Sequence, residues 1–189
     1  MLSQTDAMKK ILLLPISLLI SIASLIAQHA PASANEIMKE AFATAKKQNK
    51  KVFVIFHASW CGWCHKMDKS MNDESCKKFF EDNFITRHLV VDESADKKNL
   101  ENPGADEMRK KYYGEGQGIP FWLVFDKDGV LLADSKMRDK GAGPEAGNNT
   151  GCPASEKEVA YFISILQKTT SLNSDQLEII RKRFRQNEQ

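Results

Sequence analysis

The chain has 189 residues, of which 42% are hydrophobic and 28% are charged. These proportions are typical of an ordinary globular protein, and the length suffices for one domain with a sizeable core. The 27 basic and 25 acidic residues give a formal net charge of +2. Because the sequence has no basic stripe, its charge gives no support to nucleic acid as a partner.

The segment 1–34 predicts an export signal. Lys9-Lys10 precedes a nearly continuous apolar run over Ile11–Ala27, and a small-x-small pattern follows at Ala32-Ser33-Ala34. We expect cleavage at the end of that pattern, or alternatively at the end of the apolar run, and a periplasmic or extracellular protein. The run is short for a membrane span of about 20 residues. We therefore expect membrane association only if the segment stays uncleaved.

The remaining sequence predicts one domain over residues 35–170 and a helical extension over 171–189. Helices and strands alternate along it. The predicted elements are a helix over Asn35–Asn49, a strand over Lys51–His57, helical segments from Cys61 and from Glu74, a strand over Phe84–Val91, a helix over Ala105–Tyr113, a hairpin of Phe121–Phe125 and Val130–Asp134, and helices that begin near Ser155 and Ser174. This order predicts an α/β fold with a mixed central β-sheet flanked by helices.

Local signals refine this assignment. Asn35 is the expected N-cap of the first helix, and Ser155 with Glu158 forms a capping box. The Gly-, Pro- and Asn-rich segment Lys140–Pro153 predicts an irregular, flexible loop. The last helix is expected to pack through Leu177, Ile180 and Phe184, with a solvated basic face. That basic face consists of Arg181, Lys182, Arg183 and Arg185.

Two cysteines lie three residues apart where the first strand leads into a helix. Unpaired amides and the helix dipole stabilise a thiolate at a helix N-terminus, and a thiolate is the nucleophile in thiol chemistry. Cys64 lies one turn beyond Cys61, on the same face, so the pair can close a disulfide. We expect Cys61 to be the exposed, attacking thiol. Cys64 is then the more buried thiol that resolves a mixed disulfide.

The strings FHASWCGWCHKM (56–67) and GIPFWLVFDKDG (118–129), with the order of elements, resemble the thioredoxin family and especially its exported bacterial branch. The resemblance covers about residues 36–168. It implies the thioredoxin fold and exchange with protein thiols and disulfides, sustained by a redox partner protein without metal or organic cofactor. It also implies a cis peptide at Ile119-Pro120 facing the dithiol, a substrate chain paired with the backbone of Ile119, and Trp60 on the rim around Cys61.

The chain departs from the family at two points that concern the site. Trp63 stands between the cysteines, where a smaller residue is common, and we expect it to alter substrate access and redox poise. Many relatives carry a buried acid in the preceding strand, but Ile55 takes that position here, so this strand lacks the carboxylate of the usual proton relay. His65 either modulates the thiols, by its charge or as a proton shuttle, or simply faces solvent.

The motif has three alternative interpretations. Cys-Gly-Trp-Cys-His also fits a c-type haem attachment site. However, a cytochrome needs a distal ligand, and Met67 and Met71 lie too close in sequence to His65. A zinc site is disfavoured because no second ligand pair stands at the required spacing. The remaining alternative is a thioredoxin-fold binding module whose dithiol is structural or idle.

The other cysteines receive separate predictions. Cys76 is expected to be a buried, inert core residue rather than a partner of Cys152. Cys152 lies in the flexible loop and is expected near the rim of the site. We consider it as a third redox thiol, a substrate contact or an ordinary loop residue.

Overall fold

The computed structural model describes residues 30–188. The predicted signal segment therefore lies outside the described residues, except for its last five positions. Within the described range, no helix has both the length and the apolar character needed to cross a membrane.

Six helices and six strands make up the described part of the chain. The helices are α1 Ala34–Gln48, α2 Gly62–Met71, α3 Lys77–Asn83, α4 Ala105–Lys111, α5 Glu156–Thr169 and α6 Ser174–Arg185, with 3-10 turns at Ala95–Leu100 and Gln186–Glu188. The strands are β1 Lys51–His57, β2 Phe84–Val90, β3 Phe121–Phe125, β4 Leu131–Asp134, β5 Lys136–Met137 and β6 Asn148–Asn149.

The main sheet has the strand order β2-β1-β3-β4. Strand β1 runs parallel to β2 and antiparallel to β3, and β3 pairs antiparallel with β4. The predicted α/β fold with a mixed sheet is thereby confirmed. The register of β1 with β3 sets Phe56 opposite Phe121. Consequently the loop that follows β1 and the loop that precedes β3 meet at one end of the sheet.

The core has two layers, one on each face of the sheet. Alternating β1 residues divide between them because successive side chains of a strand point to opposite faces. Phe53 and Ile55 face the layer formed with α2, α3, α5 and α6. Val52, Val54 and Phe56 face the layer formed with α1 and α4. Both ends of the described chain are therefore part of the same domain.

The C-terminal helix α6 packs as predicted but is less solvated than expected. Leu177, Ile180 and Phe184 are buried in the core. Arg183, which we assigned to the solvated face, is also buried, and its Nε donates to Asp73 at 2.8 Å. The assignment was wrong because Asp73 supplies a carboxylate from the turn after α2, which hydropathy along α6 alone does not reveal.

Two further sequence assignments need correction. Helix α1 begins at Ala34, and Ser33 rather than Asn35 is its N-cap, in a capping box with Glu36. The predicted loop over residues 140–153 includes β6, which pairs with β5. The buried Nζ of Lys136 orders the intervening chain by donating to the carbonyls of Pro144 and Glu145, at 3.1 and 2.6 Å.

Candidate active site

A disulfide joins Cys61 and Cys64 at the N-terminus of α2, with their Cα atoms 5.3 Å apart. Cys61 is the N-cap residue, and its Sγ accepts the backbone N–H of Cys64 at 3.1 Å. The predicted ability of the two sulfurs to bridge is confirmed. The geometry also supplies the hydrogen bond and helix terminus that stabilise negative charge on the first sulfur once the pair is reduced.

The prediction that Cys61 is the exposed cysteine is wrong for this disulfide form. Cys61 is 3% exposed and Cys64 is 1% exposed. Ala58 is buried beside both cysteines, and Ile119 packs against the three of them. The sequence alone did not reveal that Ile119 shields the cysteines, because Ile119 is distant in sequence and lies in the loop before β3.

The predicted cis peptide is present between Ile119 and Pro120. The carbonyl oxygen of Ile119 lies 3.7 Å from Cys61 Sγ, so this segment does face the disulfide. The side chain of Asn149 fixes the segment by donating to the carbonyls of Gln117, Gly118 and Pro120, at 3.1, 3.2 and 3.0 Å. The loop predicted as irregular therefore supports the residues next to the disulfide.

Both tryptophans of the motif are exposed, Trp60 by 59% and Trp63 by 49%. Trp60 donates its indole N–H to the carbonyl of Asp92 at 2.8 Å. Trp63 lines a groove of about 250 Å³. The segments 118–120 and 149–152 line it as well. An extended chain that entered this groove would pass Trp63 and Pro120.

His65 is exposed to solvent and also makes one hydrogen bond within the protein. Its Nε2 lies 2.9 Å from the carbonyl oxygen of Ser59, to which the ring donates. Two other histidines, His57 at the end of β1 and His88 in β2, have ring centroids 4.9 Å apart. Burial and the charge of His88 lower the pKa of His57.

Cys76 and Cys152 are both free and buried, as predicted for Cys76. Cys152 lines the groove beside Pro120, so its expected place near the site is confirmed. A redox role for its thiol is disfavoured, because burial raises its pKa to about 12. Asn187 also donates to its sulfur at 3.3 Å.

A buried acid does stand beside the motif, although sequence reasoning missed it. Glu93 is 4% exposed and accepts the backbone N–H and the hydroxyl of Ser59, at 2.6 and 2.8 Å. It follows β2 rather than preceding the motif within β1. The available signal was the acidic pair Asp92-Glu93 just after a parallel strand, since neighbouring parallel strands end at the same edge of the sheet.

Burial tends to raise the pKa of Glu93, but the two hydrogen bonds from Ser59 and the charges of Lys97 and His57 outweigh it. The pKa of Glu93 therefore lies below its ordinary value. Among residues 30–188, no three His, Cys, Asp or Glu side chains gather in a way that could hold a metal ion.

Residues 34–127, about half of the chain, match the family model described as thioredoxin-like. Over these residues the chain belongs to the thioredoxin-like family. The fold and the disulfide between Cys61 and Cys64 agree with this assignment.

Individual relatives share only part of the chain. An uncharacterized protein of Caenorhabditis elegans is 38% identical over 85 residues, which are 44% of this chain and 11% of that protein. Spermatogenesis-associated protein 20 of Mus musculus is 32% identical over 92 residues, 46% of this chain and 11% of its own length. The chain thus spans about a tenth of these curated relatives.

Among solved structures, the disulphide isomerase from Xylella fastidiosa Temecula1 is similar at 27% identity, with a TM-score of 0.45. The similarity covers 57% of this chain and 75% of that structure.

Proposed function

We propose that this protein is a thiol–disulfide oxidoreductase that uses Cys61 and Cys64. The observation that carries the proposal is the closed disulfide at the start of α2, in which Cys61 Sγ accepts the amide of Cys64 at 3.1 Å. In the reduced protein this amide and the helix N-terminus favour a thiolate on Cys61.

The exchange proceeds in two steps. The Cys61 thiolate attacks one sulfur of a substrate disulfide, which forms a mixed disulfide and releases the other substrate sulfur as a thiolate. Cys64 loses its proton and attacks Cys61, which restores the disulfide between them and releases the second substrate thiol. Two electrons and two protons pass to the substrate. A partner thiol protein then reduces the Cys61–Cys64 disulfide to the dithiol and is itself oxidised to a disulfide.

The surroundings of the disulfide favour polypeptide substrates. Trp60 and Trp63 expose flat apolar surface beside the cysteines, which suits a partner chain. The backbone of Ile119 lies close enough to Cys61 to pair with an extended chain that carries the reacting sulfur. The groove beside Pro120 offers room for the flanking side chains.

We also propose that the protein is exported, with cleavage after Ala27. The residues around the alternative cut are engaged in the domain. Asn102 donates to the carbonyl of Ala32 at 2.9 Å, and Ala34 donates its N–H to the carbonyl of Pro103 at 2.8 Å. Ser33 caps α1. A cut after Ala34 would remove these contacts, whereas a cut after Ala27 keeps them.

An insulin-reduction assay with dithiothreitol as electron donor tests the activity. We expect reduction by the unmodified protein, none above background for Cys61→Ser, and a trapped mixed disulfide for Cys64→Ser. The matched control is Cys76→Ala, which also removes one thiol but should retain activity. Activity of the unmodified protein no greater than that of Cys61→Ser would refute the proposal and favour a binding module.

A further inference from the structure

The exchange described above does not use Glu93, although this carboxylate lies beside the motif. It is 4% exposed and accepts two hydrogen bonds, both from Ser59. Its own N–H donates to Glu101 at 2.8 Å, so the backbone is anchored as well. A buried carboxylate is costly unless it is satisfied. Its presence at this point therefore calls for a physical explanation.

Glu93 is bound to the turn that leads into the reactive cysteine. Cys61 donates its N–H to the carbonyl of Ala58 at 3.1 Å, which closes a turn that contains Ser59. Ser59 precedes Cys61 by two residues, so their Cα atoms are at most about 7.6 Å apart. The indole bond from Trp60 to Asp92 ties the same turn to the residue before Glu93. The carboxylate cannot swing away without breaking its two hydrogen bonds to Ser59.

The charge of Glu93 is not neutralised by a close partner. Within the described residues it forms no ion pair, because Ser59 offers only neutral donors. Arg109 is occupied by Asp92 and Asp106, at 2.5 and 2.7 Å. The ionisable groups that act on Glu93 are His57 at the end of β1, whose own pKa is lowered by burial, and Lys97 in the 3-10 turn. Lys97 is exposed, which weakens its effect through solvent screening.

We propose that Glu93 is a positioning residue for the exchange reaction: held against Ser59, its charge opposes negative charge on the Cys61 sulfur and makes the couple more reducing. This inference rests on the proposed function. The helix N-terminus and the Cys64 amide favour the thiolate, and Glu93 counteracts them by charge repulsion. A stabilised thiolate stabilises the reduced form of the couple. A negative charge that destabilises the thiolate therefore favours the disulfide.

The redox balance defines the measurement. The dithiol and one molecule of glutathione disulfide yield the Cys61–Cys64 disulfide and two molecules of glutathione. Two electrons and two protons leave the protein. The equilibrium constant of this reaction, measured on the full chain, reports the reducing power of the couple without any protein substrate.

Glu93→Gln is the decisive variant because it removes the charge and keeps the shape. The amide oxygen can still accept the Ser59 N–H, and the amide nitrogen can donate to the Ser59 hydroxyl. We expect the equilibrium constant for oxidation by glutathione disulfide to fall about tenfold. In a Cys64→Ser background, the pH midpoint for alkylation of Cys61 by iodoacetamide should move down by about one unit.

Asp96→Asn is the matched control, since it removes an exposed carboxylate from the same loop. Both quantities should stay within twofold of the unmodified protein in Asp96→Asn. Glu93→Ala serves as a second neutral variant should Glu93→Gln fold poorly, and it must shift in the same direction. Unchanged constants in a folded neutral variant overturn the inference. Failure of insulin reduction alone would not overturn the inference, because neither the glutathione equilibrium nor the alkylation of Cys61 involves a protein substrate.

Discussion

The side-chain amide of Asn187 donates to the sulfur of Cys152 at 3.3 Å and to the carbonyl of Pro153 at 3.2 Å. Its Oδ1 accepts the Ser70 hydroxyl at 3.0 Å, and its backbone carbonyl accepts Nζ of Lys66 at 3.1 Å. Asn187, in the 3-10 turn after α6, thus joins the groove wall to α2, the helix that carries both reactive cysteines.

Replacing this residue should loosen the cover over Cys152. Asn187→Ala removes the side-chain bonds and leaves buried polar groups without partners, which should cost about 1–3 kcal/mol of unfolding free energy. We expect urea denaturation to report that loss, and the Cys152 thiol to react several-fold faster with dithionitrobenzoate. Gln186→Ala, at the exposed neighbouring position, is the control. Equal thiol reactivity in both variants would contradict this role for Asn187.

The buried thiol of Cys152 should also make stability depend on alkaline pH. Burial raises its pKa from 9.0 to about 12, so the folded protein retains a proton that the unfolded chain loses. This contribution is fully present below about pH 9 and is lost as the pH rises towards about 12. The slope attributable to it is at most about 1.4 kcal/mol per pH unit.

The pH dependence is measured by urea denaturation under reducing conditions between pH 8 and pH 10.5. Because other groups also titrate there, the quantity of interest is the difference in slope between the unmodified protein and Cys152→Ala. We expect the variant to lose stability less steeply with pH, whatever its absolute stability. Parallel slopes would show that Cys152 does not keep its proton on folding.

The sequence predicted the fold and the central pair of the site because their determinants are local. Each of these signals lies within a few residues of the chain: a β1 strand that is apolar on both faces, a Cys-x-x-Cys at the start of a helix, and an Ile-Pro before β3. The features it missed depend on contacts between distant segments. Ser59 meets Glu93, 34 positions away, and Arg183 meets Asp73, 110 positions away. Periodicity within one element carries no information about such pairs.

The same distinction explains the N-terminal correction. Asn35 is a sound cap by residue type, but Ser33 has the matching Glu36 three residues later, and the structure uses that box. The Ser33 hydroxyl accepts the Glu36 N–H at 3.2 Å, and the Glu36 carboxylate accepts the Ser33 N–H at 2.9 Å. Recognising this from the sequence required treating Ser33 as part of the domain rather than of the signal.

The mature N-terminus should therefore be Gln28. Intact-mass analysis of protein recovered from the exported fraction tests this expectation directly. A chain that begins at Asn35 lacks the Ser33 cap and should unfold more easily, by about 1 kcal/mol from the cap alone. Ser33→Ala in the longer chain should reproduce that part of the loss, with Ser94→Ala as a control, since Ser94 makes no side-chain cap bond to its 3-10 turn. A mature chain that begins at Asn35 would contradict the proposed cleavage site.

Trp63 should govern how protein substrates reach the disulfide. Its side chain is half exposed and lines the groove with Pro120, and Nζ of Lys66 lies 4.6 Å from its ring centroid. Trp63→Ala removes contact surface from the substrate side while Cys61 and its amide bond stay in place. We expect KM for insulin to rise about tenfold, because an exposed aromatic side chain at an interface contributes on the order of 1–2 kcal/mol.

A small disulfide separates binding from chemistry in this variant. Because bis-hydroxyethyl disulfide is too short to span the groove, its reduction should change less than twofold in Trp63→Ala. Val130→Ala, another exposed apolar residue but one at the turn before β4, should leave both substrates unaffected. Equal losses on insulin and on the small disulfide would instead place Trp63 in the chemistry of the cysteines, where its bulk alters their redox poise rather than substrate access.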